Sequence, residues 1–172
     1  SSTQTTAYSF TTNGPPILSQ STFRWRSDSN NSDWYDLNWS SRKKISINSG
    51  SSETGTNYQI KIKVGQGENS SDYDLHLGGL AKSDFSDLRF TASDGTTLLD
   101  YWQESITGTS PNQTATVWVE VSDSLSINQD IFIYYGNNQA TDVENGNNVF
   151  EFFDNFDEYS DWTGETTNFS LS

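Results

Sequence analysis

Only one histidine, His76, and no cysteine occur among the 172 residues, and these two facts close off most side-chain catalysis. A metal site built from several histidines cannot form within one chain, and thiolate or Cys-zinc chemistry has no residue to use. A Ser-His-Asp triad would have to pass through His76, in the loop-like run Asp72-Tyr73-Asp74-Leu75-His76. No Ser lies in a nucleophile-elbow context. Glycosidase chemistry needs two carboxylates a few ångströms apart across a cleft. With 23 acidic residues present, such a pair can always be proposed, so the proposal discriminates nothing. The residues predict no catalytic site, and the expectation is a protein that is not an enzyme.

Three other chemistries suit the side chains. Ca²⁺ takes about six to eight oxygen ligands, and two oxygen-rich stretches qualify by type. One is Asp28, Asn30 and Asp33 with Ser32; the other is Asp154, Asp157 and Asp161 with Asn155 and Glu158. Ca²⁺ is therefore the one cofactor suggested, against the alternative that both stretches are solvated turns. Sugars are held by exposed aromatic planes flanked by amides and carboxylates, with Trp118, Trp102 and Trp34 as candidates. The alternative for each is burial under a crossing loop or at a subunit contact. N-x-[ST] sequons at Asn30, Asn38, Asn69, Asn112 and Asn168 would accept N-glycan on a secreted chain.

The elements that must position these residues read as strands. Hydrophobic residues are sparse at 31%, yet aromatics reach 14%, so a core must come from a few large side chains. Ser, Thr, Asn and Gly disfavour helix and suit turns, and no window shows sustained i, i+3, i+4, i+7 apolar spacing. Period-two alternation predicts strands at 42–48, at 57–64 (Tyr58, Ile60, Ile62 and Val64 inward) and at 114–121 (Ala115, Val117, Val119 and Val121 inward). Asp94-Gly95 predicts a tight hairpin between strands 88–91 and 97–106. The run 131–135 is apolar on both faces, as in a covered central strand, and 149–153 predicts a last strand. Strands at this spacing imply an all-β, antiparallel two-sheet sandwich, jelly-roll-like. The expected layout is an N-terminal arm at 1–22, the sandwich at 23–153 and an acidic extension at 154–172.

Several of these strings occur together in an order that resembles one known family. They are W-Y-D-L-N-W-S-S-R-K-K-I-S-I from Trp34, N-Y-Q-I-K-I from Asn57, and D-F-S-D-L-R-F-T-A-S-D-G-T-T-L-L-D-Y-W from Asp84. A-T-V-W-V-E-V from Ala115 and I-F-I-Y-Y-G-N from Ile131 complete the series. Over roughly 34–153 the chain is similar to the domain-of-unknown-function 2341 family. The resemblance implies a secreted or surface-anchored prokaryotic protein and no established activity. V-F-E-F-F-D-N-F-D-E-Y-S-D-W-T from Val149 resembles the opening of a concanavalin-like lectin domain. F-R-W-R-S-D from Phe23 resembles a short motif found between modules of large bacterial surface proteins.

A net charge of −14 excludes nucleic acid as a natural partner and disfavours anionic membrane surfaces. No apolar run is long enough to span a bilayer, so no membrane insertion is expected. With no Met anywhere, the chain reads as a processed product. In the arm, Tyr8 and Phe10 alternate with small residues, the pattern of a donor strand that could add to the sheet edge of another copy. The functional expectation is an extracellular, cell-surface structural or adhesive protein, a filament subunit assembled by strand exchange with itself as partner. The alternative is a carbohydrate-binding module of a larger adhesin, with glycans as partners.

Overall fold

The computed structural model describes residues 33–49 and 55–154 in full, together with the backbone of Leu18–Ser19 and Phe23–Trp25. The strands in chain order are β1 (Leu18–Ser19), β2 (Phe23–Trp25), β3 (Ser41–Ile47), β4 (Tyr58–Gly65), β5 (Leu75–His76), β6 (Arg89–Thr91), β7 (Leu98–Leu99), β8 (Tyr101–Thr107), β9 (Thr114–Val121) and β10 (Gln129–Tyr135). One helical turn, α1 (Gly146–Val149), follows. Two sheets result. The six-stranded sheet runs β1-β3-β10-β6-β7, with β2 also on β3; the four-stranded sheet runs β5-β4-β9-β8. All pairings are antiparallel except β4 with β5, which is parallel. The architecture is an all-β sandwich.

Alternation explains the core. Ile60, Ile62 and Val64 of β4 and Ala115, Val117, Val119 and Val121 of β9 face Ile45 and Ile47 of β3, Phe90 of β6 and Ile131, Ile133 and Tyr135 of β10. Each fully buried aliphatic side chain contributes roughly 1.5–3 kcal/mol, which is how so few apolar residues hold two sheets together. β10 lies between β3 and β6. Its second face carries Tyr134 into a separate cluster with Trp34, Trp39 and Ala140. The two-sided apolar run is thus a central strand covered on both sides.

Two readings of the sequence change. The expected strand 97–106 is two strands in different sheets. β7 pairs with β6, and one residue later β8 pairs with β9, because Leu99 and Tyr101 both turn into the core across the corner at Asp100. The expected strand 149–153 is the end of α1 and a bend. β1 and β2 share one edge of β3. Leu18 lies opposite Ile47 and Trp25 opposite Ser41, so both segments line the same side of β3.

The outer face of the six-stranded sheet is locked by residues of the strings quoted above. Arg42 is buried and lies over Trp34 at 4.8 Å and Phe132 at 4.4 Å. It pairs with Asp33 at 2.8 Å and donates to the Tyr134 hydroxyl at 2.8 Å. That hydroxyl donates in turn to Gly95 O at 2.7 Å. Arg89 lies over Trp39 at 5.0 Å and donates to the carbonyls of Ser86, Leu88 and Thr141. Asp87, 0% exposed, accepts from the backbone N–H groups of Lys82, Gly136 and Asn137, and its own carbonyl accepts from Trp39 Nε1. Buried charges persist only when paired and hydrogen-bonded in this way.

Candidate functional site: the outer face of the four-stranded sheet

Residues of β4, β8 and β9 that do not enter the core line up on the opposite face. Register places Gln59 opposite Glu120, Lys61 opposite Trp118, and Trp102 opposite Trp118. A β-bulge lies between Gln103 and Ser105. Two residues of β8 there oppose one of β9, which keeps Glu104 on the tryptophan side. Glu104 accepts from Trp118 Nε1 at 2.7 Å and pairs with Lys61 at 3.0 Å. These two hydrogen bonds hold its carboxyl below the usual carboxylate range. The Lys61 ammonium lies over the Trp118 ring at 5.1 Å.

The chain after β10 returns over this face. Asn145 N donates to Tyr101 O at 2.9 Å, and Gln103 N donates to Glu144 at 2.9 Å, so the segment is tied to the free side of β8. The buried Val149 closes α1 down. Phe150 then meets Trp102 and Trp118 edge-on at 5.9 and 5.7 Å, and Phe153 meets Trp102 at 4.8 Å. Phe153 closes directly onto Gly146, where a Cβ would overlap its ring. Beside the aromatic cluster a cleft of about 410 Å³ is lined by Asn57, Gln59, Glu120, Phe150, Glu151 and Phe152.

Of the three tryptophans proposed for sugars, Trp34 is only 7% exposed, packed edge-on against Tyr134 with Nε1 donating to Asp36 O and Trp39 O. It offers no plane to solvent and leaves the set. Trp102 and Trp118 are half-buried, with Phe150, Phe153 and Lys61 against their rings. Asn38, Asn69 and Asn112 are exposed. Asp33 is tied to Arg42 and Asp154 is half-buried. Among the described residues no three His, Asp or Glu side chains converge on one metal position. Tyr8, Phe10, Asp28, Asn30, Asp157, Asp161 and Asn168 lie outside the described residues. The clasp was missed from sequence, although V-F-E-F-F carries the aromatic signal for it.

His76 sits at one end of the sandwich. Its carbonyl accepts from the Lys43 ammonium, its ring meets Tyr73 edge-on at 5.6 Å, and Nδ1 is buried without a partner. Burial pushes the imidazole pKa down, and the Lys43 charge adds to this. Burial likewise lowers Lys43. No hydroxyl nucleophile is hydrogen-bonded to this imidazole among the described residues.

The fold and this face define a β-sandwich module whose half-buried aromatic sheet face is clasped by the segment that follows β10. Residues 84–165 match the family model of the Domain of unknown function (DUF2341), which supports the domain family read from the sequence. The match runs from the turn before β6 through the clasp and past Val149, and the resemblance of the stretch from Val149 to the opening of a lectin domain is not confirmed by it. Neither the curated proteins nor the solved structures yield a match. Among the described residues no helix is long and apolar enough to cross a membrane.

Proposed function

We propose that the chain is a non-enzymatic, extracellular structural or adhesive protein, a subunit of a surface filament linked by strand exchange through its N-terminal arm. One observation carries the reading: Leu18–Ser19 and Phe23–Trp25 pair antiparallel with the edge of β3. The N-terminal region is thus already used as an add-on edge strand, and Tyr8 and Phe10 upstream of it would do the same on another copy. Main-chain pairing would supply affinity and the alternating aromatics specificity. A head-to-tail contact of this kind does not close, so it builds a filament. Glycan at Asn38, Asn69 and Asn112, all exposed, would keep other surfaces from associating.

Deleting residues 1–16 leaves β1 and β2 in place and should give a folded monomer that no longer assembles, read by size-exclusion chromatography and electron microscopy. Filaments that still form after the deletion end the proposal. Carbohydrate recognition is the second reading, favoured by Trp102 and Trp118 lying opposite each other on one partly exposed face. A glycan array read against Trp118→Ala separates the two, since saturable sugar binding lost in the variant is expected only of a lectin-like module.

A further inference from the structure

The cleft beside the clasp has a lining of unusual chemistry. Gln59 Nε2 is bound to Val149 O at 2.7 Å, Asn57 O at 3.2 Å and Glu120 Oε2 at 3.2 Å. Both hydrogens of that amide are therefore engaged, which leaves its carbonyl oxygen as an acceptor. Glu120 and Glu151 accept only. The Asn57 amide nitrogen is the one side-chain donor left in the lining. Phe150 forms one wall, and Phe152 stands at the rim 83% exposed. An acceptor-rich, donor-poor pocket with aromatic walls is complementary to a group that only donates and carries positive charge. A saccharide, whose hydroxyls must both donate and accept, is the poorer match.

The same sheet face shows this combination already satisfied. One strand register away, the Lys61 ammonium sits over the Trp118 ring at 5.1 Å and pairs with Glu104 at 3.0 Å. Glu120 and Glu151 have the carboxylates and the rings but, among the described residues, no Lys or Arg. Seven of the nine cationic side chains of the chain lie among the described residues, and each of the seven is committed within the sandwich. Arg42 holds Asp33, Lys43 the His76 carbonyl, Lys44 Asp130, Lys61 Glu104, Lys63 Asp72, Lys82 the Ala140 carbonyl, and Arg89 three backbone carbonyls. We infer that this cleft is a binding site for a lysine or arginine side chain presented by a partner polypeptide. The net charge of −14 draws such a partner in, and Phe152 closes over the aliphatic stem.

The test is a titration of the isotope-labelled protein followed by NMR. The probes are acetyl-Gly-Lys-Gly-amide, acetyl-Gly-Arg-Gly-amide, the neutral acetyl-Gly-Gln-Gly-amide, and maltotriose. Saturable shifts at Gln59, Glu120, Glu151 and Phe152 with the two cationic peptides alone are expected. Glu120→Gln keeps the acceptor for Gln59 and so keeps the fold, and it should weaken binding about fivefold. Phe152→Ala, at an exposed position, should weaken it about twofold or more. An absent or non-saturating response, an equal response to the neutral peptide, or binding unchanged in both variants overturns the inference. Saturation by maltotriose instead would reassign the cleft to saccharides.

Discussion

Removing the Asp87 carboxylate tests most directly whether D-F-S-D-L-R-F is a structural lock. The side chain is fully buried, with Oδ1 accepting from Lys82 N at 3.0 Å and Oδ2 from Gly136 N at 2.8 Å and Asn137 N at 3.2 Å. It therefore ties the loop before β6 to the exit of β10. Asp87→Ala leaves three backbone donors without a partner in a space little larger than a carboxyl group. Each orphan costs about 1–3 kcal/mol, and a water entering the hole recovers part of this. The expected loss is about 3–5 kcal/mol. For a chain of this size roughly 1 kcal/mol moves Tm by about 2–4 °C, so Tm should fall by about 6–20 °C. Asp87→Asn keeps one acceptor oxygen and should lose about half as much. Thermal and urea unfolding followed by circular dichroism measure both. An alanine variant melting within about 2 °C of the parent would refute the lock and move the purpose of that string from the interior to an interaction.

Gly95→Ala should cost about 2 kcal/mol or more, because Gly95 has φ +77° and a Cβ there would strike Asp33 O beneath the Arg42 side chain; an unchanged urea midpoint would contradict this. Gly146→Ala should displace Phe153 and release the clasp without unfolding the sandwich. Faster hydrogen exchange confined to 146–153, with brighter or red-shifted tryptophan emission, is the expected signature, and global destabilisation would argue against a local clasp. The lowered His76 pKa has a definite sign. Above its unfolded value of 6.5 both states are neutral; as pH falls below that value the unfolded chain takes the proton first, so stability declines from pH 6.5 downward until the folded imidazole also titrates. His76→Gln should flatten that part of the stability–pH curve, and a wild-type curve already flat there would show that the ring is solvated.

What the sequence determined by itself was local and periodic. Alternation placed β4 and β9 within a residue of their observed bounds, because a half-buried strand must show a period of two to any reader. Asp94-Gly95 announced its hairpin, since Asp94 bonds Thr96 and Thr97 and Gly95 takes the positive φ. The double-faced run 131–135 betrayed a strand with cover on both sides. Only the tertiary structure decided which sheet each strand enters. The chain changes sheets at Asp100 in a single residue, and no period records that, because the choice depends on Leu99 and Tyr101 finding places in a core made by distant strands. Lys43 is the sharper case. It occupies an inward position in line with Ile45 and Ile47 and is retained there because the His76 carbonyl, far along the chain, accepts a hydrogen bond from its ammonium. The same holds for the face proposed for binding: Trp118 could be read as outward, but whether its ring met solvent was settled by Phe150 folding back against it and by Lys61 lying over it. A side chain's direction follows from the backbone beneath it, whereas its neighbours are chosen by the whole fold.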